Sequence, residues 1–116
     1  MSETWLDVCT ADELEPDDVV RFDDGARTFA VYRTADSRYF ATDGLCTHGR
    51  AHLSDGFVDG TTIECPKHNG RFDITTGAAK ATPAIVALGC YPARMVDRVV
   101  QIAVPPAVTP SAPDVP

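Results

Sequence analysis

Apolar and polar positions divide the chain into regions of different character. In "VVRFDDGARTFAVYRT", residues 19–34, two apolar-rich runs flank Asp23-Asp24-Gly25-Ala26, and "AVYRTADSRYFAT", residues 30–42, repeats the pattern around Ala35-Asp36-Ser37. Turn formers set between β-branched and aromatic runs predict a three-stranded antiparallel meander over 19–42. Further on, "IVALGCYPARMV" and "RVVQIAV" predict a second strand pair joined near Asp97. The one helical stretch is Thr10 to Leu14, where Thr10 and Glu13 have capping-box spacing, and it is too short for more than a turn or two. The expected fold class is all-β.

Residues 43–84 break this pattern. They are rich in Gly, Asp, Thr and Pro and poor in apolar periodicity, which predicts a long irregular insertion of the kind that is functional or disordered. The tail "PPAVTPSAPDVP", residues 105–116, carries five of the nine prolines and is expected to be disordered, because proline cannot donate to a ladder. There is no internal repeat. At 116 residues the chain is read as one domain, a size that buries roughly two-thirds of the unfolded surface. The domain is expected over 1–104.

Composition narrows the setting. The formal charge of -7 argues against nucleic acid or an anionic membrane as partner, since both would repel it. No apolar run approaches the roughly 18 residues of a membrane helix, and "MSETWLD" is acidic where a signal peptide is basic and then apolar. The expected location is cytoplasmic. Nine of the 17 acids fall within residues 1–24, against one base, Arg21; this region reads as a solvated face or as a docking surface for basic partners.

The candidate chemistry lies inside the insertion. "GLCTHGR", residues 44–50, and "ECPKHNGRFD", residues 64–73, each place a cysteine and a histidine on a glycine-bracketed loop. Written as spacing, the pattern is Cys46-Thr47-His48, sixteen residues, then Cys65-Pro66-Lys67-His68. In a reducing compartment, cysteine with histidine at short range favours a metal over a disulfide. Two loops that each offer one thiolate and one imidazole suit either one tetrahedral ion or a two-iron cluster. Structural zinc sites usually open with a CxxC knuckle, which weighs against zinc without removing it. His52, four positions after His48, is read as a solvent-facing loop residue, Cys9 and Cys90 as small buried thiols in strands, and Trp5 as a core or core-edge residue. No GxGxxG, P-loop or nucleophile elbow is present.

The "CTHG" and "CPKHNGRFD" segments, with "TTGAAKATPA" after them, resemble the Rieske [2Fe-2S] motif and the glycine and proline loop that covers its cluster. The resemblance runs over residues 4–104 and implies an antiparallel β-sandwich with a small cluster-binding subdomain formed by two loops, about 43–84. It further implies that Cys46 and Cys65 bind one iron and His48 and His68 the other. Gly44, Gly49 and Gly70 would bring loop backbone close to the sulfides, and Pro83 would shield the cluster.

By length the chain is similar to the free-standing ferredoxins of bacterial ring-hydroxylating dioxygenase systems. That likeness implies a cytoplasmic, monomeric one-electron carrier of aromatic hydrocarbon catabolism. It would take electrons from a flavoprotein NAD(P)H reductase, deliver them to a terminal oxygenase, and have no catalytic residues. A Rieske oxygenase also needs a mononuclear iron site, for which only His52 is left over. The alternatives are a small Rieske-like subunit of a nitrite-reductase-type enzyme and a zinc-stabilised interaction module.

The resemblance also carries a departure. High-potential Rieske proteins of cytochrome complexes resemble "CTHLGC" and "CPCHGSHYD", in which two extra cysteines form a disulfide and a serine and a tyrosine donate hydrogen bonds to sulfur. Here those positions read Ala51, Lys67, Gly70 and Phe72. Without the donors the reduced state is less stabilised, so the expected potential lies at the low end of the Rieske range, about -150 mV.

Overall fold

The computed structural model describes residues 4–47, 51–66, 70–81 and 86–105. Among them, strands build three antiparallel sheets. The meander forms as expected from β2 (Asp18–Asp24), β3 (Arg27–Arg33) and β4 (Tyr39–Asp43). Asp24 pairs with Arg27 across a two-residue turn, where Gly25 takes a φ of 63°. That is the left-handed region, which glycine enters at little cost. Strand β1 (Thr4–Thr10) lies on β11 (Val99–Val104), which pairs in turn with β10 (Ala93–Val96).

The second predicted strand pair is present but divided. Residues 90–96 form β9 (Cys90–Tyr91), on the edge of the meander beside β4, and then β10, in the other sheet. Pro92 is the corner. It has no N–H for a ladder, and its carbonyl accepts from Ala103 N–H at 2.9 Å. The chain turns into β11 through Asp97 and Arg98, both at positive φ.

Strand β3 explains the layering. Phe29 and Val31 point into a core shared with Val100, Ile102 and Val104 of β11, whereas Ala30 and Tyr32 point into a second core shared with Leu53, Ile63 and Phe72. A strand buried on both faces reads as a continuous apolar run, and FAVY does. The meander sheet is therefore the middle layer, with the β1-β11-β10 sheet on one side and the insertion on the other. Tyr32 is fully buried and satisfies its hydroxyl against Thr42 Oγ1 at 2.9 Å. Trp5 does not enter either core: it is partly exposed under the Arg94 guanidinium, 3.7 Å from the ring centroid.

The helical stretch is a single 3-10 turn, Ala11–Glu13, and the capping contact is real: Thr10 N–H donates to Glu13 Oε1 at 2.8 Å. The insertion differs from its sequence pattern. It is not irregular, because β5 (Phe57–Asp59), β6 (Thr62–Glu64), β7 (Arg71–Asp73) and β8 (Ala79–Ala81) pair into a four-stranded sheet. Each strand is three residues long; Val58, Ile63 and Phe72, central in the first three, pack inward, and so does Ala79 at the start of β8. Three residues cannot display a period of two, so the pattern was invisible. Of the tail 105–116, expected to be disordered, Pro105 is described and its carbonyl accepts from Arg27, while 106–116 lie outside the described residues.

Candidate metal centre

Each cysteine opens a six-residue loop of similar build. Cys46 N–H donates to the Ala51 carbonyl at 2.8 Å, and Cys65 N–H donates to the Gly70 carbonyl at 2.7 Å. Loop one rises from the end of β4. Gly44 N–H is held by the Thr28 carbonyl at 2.9 Å, Leu53 N–H by the Gly44 carbonyl at 2.8 Å, and Leu45 forms a lone antiparallel bridge with His52. Loop two rises from the β6-β7 hairpin, where Ile63 faces Phe72 and Glu64 faces Arg71, with Arg71 Nη2 3.1 Å from Glu64 Oε1.

Both cysteines turn inward at the same place. Cys46 and Cys65 are buried in one apolar core with Tyr32, Leu53, Ile63, Phe72, Ile74 and Leu88. Sequence-distant thiols brought together at the bases of twin loops fit a soft metal group held between them. His48 and His68 lie outside the described residues, as do Arg50, Lys67, Gly49 and Pro83. Gly70 is buried and Phe72 fully so. The Phe72 ring, which offers no hydrogen-bond donor, thus shares the core of both cysteines.

Among the neighbours, His52 and Cys90 lie otherwise than expected. Gly44 is required by the meander: a Cβ there would lie 2.9 Å from Phe29 N. His52 is half-buried, not solvent-facing, because its bridge to Leu45 draws it against the protein; its Nδ1 is enclosed without a hydrogen-bond partner. Cys90 is exposed, since β9 is a two-residue edge strand. Partial burial and the Asp43 and Asp73 carboxylates push its thiol pKa up, which keeps it protonated. Cys9 is half-buried and its pKa too is raised, chiefly by burial.

Sequence reasoning missed a polar brace beside loop one. Asp43 accepts from Tyr91 Oη at 2.5 Å and from Gly89 N–H at 2.9 Å. Burial and the Asp43 carboxylate together push the Tyr91 hydroxyl above its ordinary range. Thr47 Oγ1, next to Cys46, donates to the Val86 carbonyl at 2.7 Å and so ties loop one to Val86. No local sequence signal marks these partners, which are 48 and 39 residues apart.

The family model for the Rieske [2Fe-2S] domain matches residues 4–92. The chain belongs to the Rieske family. The Rieske-type [2Fe-2S] cluster is accordingly its cofactor, and the buried cysteine pair fits it. Among relatives, the chain is similar to the ferredoxin component of naphthalene 1,2-dioxygenase/salicylate 5-hydroxylase systems of Ralstonia sp., 41% identical over 95 residues, covering 82% of this chain and 90% of the relative. Among solved structures it is similar to a chain in the complex of reduced oxygenase and oxidised ferredoxin in carbazole 1,9a-dioxygenase. There the TM-score is 0.82 at 39% identity, covering 90% of this chain and 97% of the other. The small subunit of a nitrite reductase from Mycobacterium tuberculosis shares the fold, with a TM-score of 0.79 at 24% identity, covering 88% of this chain and 96% of that one.

Proposed function

We propose that Cys46 and Cys65 hold one iron of the cluster and His48 and His68 the other, and that the chain is a one-electron carrier. It takes electrons from a flavoprotein NAD(P)H reductase and delivers them to a terminal aromatic-ring oxygenase. The observation that carries this reading is the pair of buried cysteines at the bases of two loops closed by the same backbone bond. Relatives named as ferredoxin components at about 40% identity support the dioxygenase system over the nitrite-reductase alternative. Among the described residues no helix is long and apolar enough to cross a membrane.

When bound, the cluster supplies a one-electron couple whose oxidised form, with two thiolates and two neutral imidazoles, carries no net charge. The chain's own residues do the rest. The thiolates of Cys46 and Cys65 anchor the group from the protein side, while Tyr32, Phe72 and Leu53 exclude water beneath it. His48 and His68, as ligands, would leave their second ring nitrogens available toward a partner. Residues 1–104 would form the working domain, as a cytoplasmic monomer.

Reconstitution tests this. NADH should reduce the protein only when a flavoprotein reductase is supplied, and the reduced protein should support turnover of an aromatic substrate only with a terminal oxygenase. Turnover by the isolated chain would contradict the carrier role.

A further inference from the structure

A groove of about 380 Å³ runs beside loop one. Ala26, Arg27, Gly44, Cys46, Thr47 and Tyr91 are among its lining residues. The Tyr91 ring stands edge-on to Phe29 with centroids 5.1 Å apart, so an aromatic pair flanks the groove. Apart from Cys46, the carrier role assigns no part to these lining residues.

The chain itself arrives beside the groove. Strand β11 ends at Val104, and Arg27 Nη1 donates to the Pro105 carbonyl at 2.8 Å while Nη2 is held by Asp24 at 2.6 Å. The residue that fixes Pro105 is therefore a residue of the groove. Beyond it come eleven residues, 106–116, with prolines at 106, 110, 113 and 116. The spacing of the last three matches the three-residue turn of polyproline II, which would set them along one edge. Proline-rich segments in this conformation dock in aromatic-lined grooves, and they lose little entropy in doing so. A tether this short keeps the segment at a local concentration in the millimolar range, so weak contacts suffice.

We propose that residues 106–116 dock in the groove between Arg27 and Thr47, against Tyr91, as a polyproline II segment. This replaces the disorder that the tail's composition suggests. The groove is built from described residues and does not depend on the carrier reading.

The full chain labelled with 3-fluorotyrosine gives three fluorine signals, from Tyr32, Tyr39 and Tyr91, each assigned by a tyrosine-to-phenylalanine change. Replacing Pro110→Gly together with Pro113→Gly alters only residues that follow β11 in the chain. The expected result is that the Tyr91 signal moves while those of Tyr32 and Tyr39 stay in place, at every protein concentration. Three unmoved signals would overturn the proposal. A Tyr91 difference that vanishes on dilution would also overturn it, by assigning the groove to the tail of a second copy.

Discussion

The two cysteine loops have the same length and the same closing bond, yet they stand on different supports. Loop two caps the ladder of β6 and β7, so its base is fixed by strand pairing and a Glu64–Arg71 ion pair within its own sheet. Loop one has the lone Leu45–His52 bridge and the Leu53–Gly44 bond at its base, and no strand ladder among the described residues. It is held instead by the meander, through Gly44 to Thr28, and by the Thr47 bond to Val86. The loops thus belong to separate pieces of the fold, and a cluster ligated by both, as proposed, would fasten the four-stranded sheet of the insertion to the meander. Metal binding would then contribute to folding as well as to redox chemistry.

The largest effect comes from removing a fastener. Cys46→Ala, Cys65→Ala, His48→Ala or His68→Ala should abolish the visible Rieske spectrum and lower the melting temperature, whereas His52→Ala should leave the spectrum intact. Absorption spectra and thermal melts of the five variants decide this. A result in which His52 is needed and His48 is not would overturn the ligand register.

Next come the supports themselves. A Cβ at Gly56 would lie 2.1 Å from the Glu64 carbonyl oxygen at the base of loop two, whereas one at Gly44 would be 2.9 Å from Phe29 N under loop one. Overpacking against backbone makes Gly56→Ala the costlier change, about 3 kcal/mol against about 1 kcal/mol for Gly44→Ala. Denaturant unfolding of the holoprotein measures both, and a reversed order would show that loop one bears more on the fold.

A sharper comparison adds the missing donors to loop two alone. Gly70→Ser with Phe72→Tyr supplies two hydroxyls at about 1 kcal/mol each, which should raise the midpoint by on the order of 90 mV from a starting value near -150 mV. Voltammetry reads it directly, and an unchanged midpoint would show that donors other than these set the potential. The smallest effect belongs to the latch of loop one. Thr47→Val keeps the shape and loses the bond to Val86, an expected cost of about 1 kcal/mol in chemical unfolding with the ligands untouched.

What could be read from the sequence follows the same division. The meander was legible because its first two strands run to seven residues with turn formers between them. The cysteine and histidine spacing was legible because ligand chemistry is written locally. The four short strands were not legible, since tertiary pairing makes them and no period marks them. Pro92 divided one predicted strand between two sheets, and the exposure of Cys90 followed from that edge position. His52 became half-buried through a single bridge to Leu45, a contact that no local pattern announces.

The central claim is that two histidines and two cysteines, one of each from either loop, hold a two-iron cluster. Pulsed electron paramagnetic resonance of the reduced protein, with histidine labelled by nitrogen-15, tests it most directly. The account predicts coupling to two histidine nitrogens, in the native chain and in His52→Ala alike. An absence of nitrogen coupling, as in an all-cysteine cluster, or a colourless protein that carries zinc, would contradict it.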